Sequence, residues 1–256
     1  MKRVLLGAVG LAAMGAPVFA ADLPARAYPP AKAPAYVAPI YDWSGFYVGI
    51  NGGGGWNRSC WTNTSFFGVP VIPAAGEGCG TGSGGTAGGQ IGYRWQSASW
   101  VFGVEAQGNW ADFNGSNTSL ALADITNQTK VDAFGLFTGQ VGYAWNNALF
   151  YVKGGAAVTD NNYASFATAT GVELSNANET RWGGTVGAGI EYGFAPNWSV
   201  ALEYDHLFMG TRNIAFTGVA PGNVGVYTRN EDIGQDVDLV TARVNYRFGG
   251  PVIAKY

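Results

Sequence analysis

The chain has 256 residues, with 14 Lys or Arg against 17 Asp or Glu and a formal charge of −3. That mild acidity, without any basic run, argues against nucleic acid as a partner. Forty glycines and 14% aromatics beside only 12% charged residues argue against an ordinary soluble domain and for many short strands. A secreted β-sandwich is the alternative to an outer-membrane barrel on composition alone.

Taken in chain order, residues 1–20 have the layout of a secretory signal. Lys2 and Arg3 form the basic head, Val4 to Ala16 the apolar run, and Val18-Phe19-Ala20 the cleavage site. Removing it takes the formal charge from −3 to −5. Residues 21–43 follow as a Pro/Ala-rich periplasmic tether, kept extended by prolines at 24, 29, 30, 34 and 39.

Alternating segments then predict strands in pairs within a barrel spanning 44–248. The expected strands are 45–56, 84–95, 100–110, 130–145, 148–159, 180–194, 198–209 and 236–248. The turns at Gln96–Ser99, Asn146-Asn147 and Ala195-Pro196-Asn197 are short. The intervening segments near 57–83, 111–129, 160–179 and 210–235 are polar and read as long outer loops. Short turns on one side and long loops on the other suit a bacterial outer-membrane barrel with an even strand number. The expected fold is all-β, an eight-stranded antiparallel up-and-down transmembrane β-barrel.

Two face patterns support that reading. Four strands end in small–x–aliphatic–x–Tyr–x–aromatic: 89–95, 139–145, 188–194 and 242–248. At period two these residues share a face that suits lipid and ends at a headgroup-level belt. The belt comprises Tyr93, Trp95, Trp100, Tyr143, Trp145, Tyr192, Phe194, Trp198, Tyr246 and Phe248. The alternate face would carry Arg94, Glu105, Lys153, Arg181, Glu191, Glu203, Asp205, Arg243 and Arg247. On the lipid face, each basic one would cost about 2–4 kcal/mol at the midplane. These nine are therefore assigned to the lumen, with Glu203 beside Arg243, and Glu105 and Lys153 at similar depth. An eight-stranded interior is just wide enough for side chains to fill, which favours a salt-bridged plug over a continuous pore.

The signal, the Pro/Ala-rich lead, the opening YDWSGFYVGINGGGGW at 41–56 and the closing VNYRFGGPVIAKY at 244–256 resemble the alphaproteobacterial outer-membrane immunogenic, porin-like proteins. That family is related to the transmembrane barrel of outer-membrane protein A. The resemblance implies an outer-membrane barrel inserted by the barrel-assembly machinery through its last strand. One departure is the extension 249–256 after Phe248, which leaves Tyr256 as a competing terminal aromatic.

Candidate chemistry is sparse. Cys60 and Cys79, expected in the first outer loop, would pair in an oxidising periplasm. No His or further Cys accompanies them to make a redox or metal site. His206, the sole histidine, is read as an outward-facing belt residue; no Ser or Thr lies within two positions to build a triad. Gly80–Gly85 fits a phosphate-binding pattern only by letters, having no strand–turn–helix context. Exposed-looking Trp61, Phe66, Phe67, Phe166, Ile214 and Phe216 would either bind a partner or pack over the barrel mouth.

The expected function is a non-enzymatic outer-membrane protein, structural and interacting through its outer loops, with no cofactor. Its expected partners are outer-membrane lipid, the barrel-assembly machinery during insertion, and a peptidoglycan or host-surface ligand. A narrow porin for small solutes, or haem or host-ligand binding at the loops, is the alternative.

Overall fold

The computed structural model describes residues 41–249. The signal peptide, most of the tether and nearly all of the C-terminal extension lie outside the described residues. Eight strands follow one another: β1 Gly45–Phe66, β2 Val69–Ser97, β3 Trp100–Thr118, β4 Ile125–Trp145, β5 Ala148–Ala167, β6 Glu173–Ala195, β7 Trp198–Gly218 and β8 Tyr227–Arg247. Each pairs antiparallel with the next, and β1 pairs with β8, for example Ile50 with Val244, so the sheet closes into a barrel. Closure leaves no free terminal edge strand.

The strands are longer than expected from the sequence. A membrane crossing needs about 9–11 residues of tilted strand, yet these run from 19 to 29. Most of each expected outer loop is strand; the outer connections shrink to 67–68, 119–124, 168–172 and 219–226. The first is a two-residue hairpin with positive φ at Phe67 (46°) and Gly68 (79°), the twist-matched turn for paired strands. Polar residues extend strands here because cross-strand pairing continues in water once lipid has fixed the register below. Gly80–Gly85, read as a loop, lies inside β2.

All ten belt residues lie on the outer face at the short-turn end; Tyr246 is half-buried and the rest exposed. Phe248 bonds through its N–H to Phe46 O at 2.8 Å and packs on Phe46 and Tyr246. It is therefore placed as the last aromatic of this girdle. Outward-facing Trp56, Trp110, Trp182 and Phe208 stand about ten to twelve residues further along their strands. They form a second girdle at the separation a bilayer requires.

Bulges lie just beyond that second girdle. The β3–β4 register shifts between Trp110 and Phe113, and β4–β5 between Val131 and Ala133. The bulge at Asp132 changes which parity of β4 points inward, from odd positions up to Val131 to even positions from Phe134, whereas on β3 odd positions point inward on both sides of the shift. Phe113 and Val131 both lie in the core, while Asp112 and Lys130 stay outside as an ion pair at 3.5 Å. The β6–β7 ladder skips from Asn176–Thr217 to Gly184–Phe208. Arg181 donates into this gap, to Gly210 O at 3.3 Å and Ile233 O at 3.0 Å.

Candidate functional site

The lumen is a stack of side-chain layers. At the periplasmic end Tyr41 and Trp43 pack against Val101, Ala144, Leu149 and Tyr151. The end of the expected tether, residues 41–43, thus folds into the barrel instead of hanging free. The Arg94 guanidinium lies over the Tyr47 ring at 4.5 Å and near those of Tyr151 and Trp43, at 5.5 and 5.9 Å. It also pairs with Glu191 at 2.8 Å and donates to Gln140 Oε1 at 3.0 Å.

Above it sits a five-residue network. Arg243 bridges Glu105 at 2.7 Å and Glu203 at 2.5 Å. Lys153 contacts Glu203 at 2.6 Å, Asp205 at 3.2 Å and Glu105 at 3.7 Å. The Tyr47 hydroxyl donates to Glu105 Oε2 at 2.6 Å, and the Tyr151 hydroxyl to Glu203 Oε2 at 2.7 Å. Each ring lies flat across a glycine: a Cβ on Gly92 or Gly189 would fall 2.5 Å from Tyr47 Oη or Tyr151 Oη. Those glycines therefore give the hydroxyls access to the carboxylates.

An amide ladder follows, with Asn51 donating to Gln90 Oε1 at 2.7 Å and Asn109 to Asn51 Oδ1 at 2.6 Å. Next comes an apolar layer of Phe113, Phe134, Leu136, Leu207, Met209 and Leu239. Beyond the outer girdle, Trp61, Tyr163, Ile214, Phe216 and Ile233 form a second apolar cluster. The final layer is Glu77, Arg229 and Glu231, all buried. Arg229 lies 3.6 Å from Glu77 and 3.3 Å from Glu231.

All nine residues assigned to the lumen are buried, but they do not form one network. Glu105, Lys153, Glu203, Asp205 and Arg243 meet; Arg94 and Glu191 form a separate pair below. Arg247 holds the backbone oxygens of Ser44 and Pro196 at the inner rim, each at 3.1 Å. Arg181 stands near the outer end, paired with Glu179 at 2.9 Å. Tyr47 and Tyr151 carry no charge to mark them in the sequence; their inward parity was the available signal. Glu77, Arg229 and Glu231 lie in polar segments with the composition of loops, where water on the outer face leaves no parity signal.

Cys60 and Cys79 are bonded and directly opposed on β1 and β2, with Cα atoms 4.0 Å apart. They join two strands where the sequence suggested a loop. His206 lies on the outer face near the second girdle, 2.7 Å from Asp238 Oδ1, which also accepts from the Tyr204 hydroxyl at 2.6 Å. Of the aromatic and aliphatic residues expected in loops, Trp61, Ile214 and Phe216 are buried and Phe166 is half-buried. Phe66 and Phe67 remain exposed at the mouth.

A closed barrel, a lipid-compatible exterior between two aromatic girdles and an ionic interior meet a matching family model, described as an outer membrane protein beta-barrel domain, over residues 6–248. The chain belongs to that family. It is 28% identical to the 31 kDa outer-membrane immunogenic protein of Brucella melitensis biotype 1, covering 97% of this chain and all of that one. It is 29% identical to the 22 kDa outer membrane protein of Rhizobium leguminosarum bv. viciae, over 66% and 65% of the two chains. Among solved structures it is similar to OprG from Pseudomonas aeruginosa, with a TM-score of 0.48 and 13% identity. That match covers 81% of this chain and 98% of the other. The protein is an outer-membrane β-barrel.

Proposed function

We propose that this barrel is a non-conducting, non-enzymatic element of the outer membrane. In this reading it contributes to envelope integrity and presents its extended strand ends to partners outside the cell. The observation that carries the reading is the layered filling of the lumen. A conducting path would have to breach the Tyr41–Trp43 layer, the five-residue ionic network and both apolar clusters. The cavity beside Arg94 measures about 10 Å³, barely the space of one water. The name of the Brucella relatives, outer-membrane immunogenic proteins, supports exposure of the outer ends at the surface.

The test is planar-bilayer recording of the full mature protein. Silent insertions are expected, and also from Arg243→Ala, because the apolar clusters lie in series with the ionic layer. A steady open level in most insertions of the unaltered protein would replace this reading with the narrow-porin one.

A further inference from the structure

The tips of the strands carry apolar surface where no lipid covers it. From Trp56 on the outer girdle, β1 runs ten further residues to Phe66. At about 3.3 Å per residue and a tilt of about 40°, that lifts the tip about 25 Å above the girdle, beyond the reach of acyl chains. Phe66 and Phe67 stand there edge to face, with ring centroids 4.8 Å apart, and both are exposed. Val69, Leu120, Val224 and Val226 are exposed on the other tips. Apolar residues scattered singly over a surface are ordinary, but contiguous ones mark an interaction site.

Two cavities make this surface contiguous. One, of about 170 Å³, lies among Phe66, Phe67, Ile125, Leu174 and Ala220. The other, of about 250 Å³, lies among Phe66, Val71, Ala75, Ala121 and Leu122. The residues around them have Phe66 alone in common, so the two flank its ring. Each is several times the ~30 Å³ share of one water and has room for an aliphatic or aromatic side chain.

The charge around this surface has one sign. The tips are formed by 61–76, 115–129, 161–178 and 213–228, which hold two charged residues, Asp124 and Glu173, and no Lys or Arg. Asp124 is exposed and Glu173 half-exposed. Each directly precedes a residue of the first cavity, Ile125 or Leu174. Arg229 borders that cavity too, but it is buried between Glu77 and Glu231 and adds no net positive charge.

We propose that the outer mouth binds a basic, amphipathic polypeptide segment, with one apolar side chain seated on each side of Phe66. Its Lys or Arg residues face Asp124 and Glu173. Height above the bilayer excludes lipid as the occupant. A second copy would bring the same acidic, apolar tips, and the like charges would repel. A small apolar molecule would fill one cavity and leave the other, and both acids, unused. A polypeptide spans both.

This inference rests on the outward exposure of the strand ends in the proposed function, not on the sealed lumen. Conductance reports on the lumen and peptide titration on the mouth, so the two readings fail separately. The mature protein in zwitterionic nanodiscs is titrated calorimetrically with three short peptides, and empty discs are subtracted. One is built from Leu and Lys, one from Leu and Glu, and one from Ser and Lys. The Leu–Lys peptide is expected to bind about tenfold more tightly than either of the others. Phe66→Ala should weaken it about tenfold, because both seats lose their shared wall. Asp124→Asn with Glu173→Gln should weaken it about fivefold at low salt, the size expected of two exposed ion pairs. Ile72→Ser, exposed on β2 but bordering neither cavity, should leave it unchanged. Equal binding of the Leu–Glu peptide would assign the mouth to any apolar ligand, and equal binding of the Ser–Lys peptide would reduce it to charge alone. Self-association of the protein, lost in Phe66→Ala, would assign the mouth to a second copy. Any of these results, absence of Leu–Lys binding, or binding unchanged in Phe66→Ala would overturn the proposal.

Discussion

Beside Lys153, Arg243 supplies one of the two positive charges in the central ionic network. It sits between Glu105 and Glu203, and neither carboxylate is reached by water. Replacing it by Met leaves Lys153 as the one cation in contact with Glu105, Glu203 and Asp205. Removing one partner from such a buried pair costs about 3–5 kcal/mol. Urea unfolding from lipid vesicles should show a loss of that size, and Arg243→Met combined with Glu105→Gln should recover part of it.

Glu231 gives a pH-dependent prediction. It lies on the part of β8 beyond the outer girdle. Burial raises its carboxyl from the ordinary 4.5 to about 7 in the folded state. Its contribution to stability is therefore fully present below about 4.5 and lost as pH rises through about 7. Hydrogen exchange, corrected for its intrinsic pH dependence, should show the amides of 61–66 and 228–233 opening more readily at pH 8 than at pH 5. Glu231→Gln should flatten that difference.

The two-part strand is the main finding at the level of elements. From the inner girdle to Trp56, Trp110, Trp182 and Phe208, an apolar outer face is required by lipid. Beyond those residues the same strands continue in water, held by pairing and by the inner apolar cluster around Trp61 and Phe216. The Cys60–Cys79 bond lies in this outer half and locks β1 to β2 four residues above Trp56. Closing a loop of that size contributes about 3 kcal/mol by chain entropy. Reduction should leave the membrane-embedded half folded. It should also increase protease cleavage within 60–80, seen as fragments linked before reductant and separated after it.

For the molecule as a whole, membrane placement depends on the segregation of faces. Val104, Val200 and Val244 are all on the outer face between the girdles. Spin labels there should be quenched by oxygen dissolved in acyl chains and protected from water-soluble nickel chelates. Labels at Thr211 and Asp232, above the outer girdle, should show the reverse. Protection from both quenchers at all three valines would place them inside protein and remove the membrane assignment.

The strand count and the hairpin order were legible in the sequence, and the nine charged residues expected on the inner face are buried. Lipid tolerates no charge at its midplane, so alternation at period two must separate Glu203 and Arg243 from Val200 and Val244. That constraint stops at the outer girdle. Beyond it, water accepts either face, so no pattern announced that 57–66 and 210–218 remain strand or that Ile214 and Phe216 point inward. The bulge at Asp132 adds one residue and resets the parity of β4, and cross-strand pairing determines where it falls. Which acid meets which base depends on strand stagger, which set Arg243 between Glu105 and Glu203 and left Arg181 and Arg247 elsewhere. The sequence by itself therefore determined which side chains lie inside across the membrane. Only the tertiary structure decided how they partner and how far the barrel continues above the lipid, because closure and register are properties of all eight strands together.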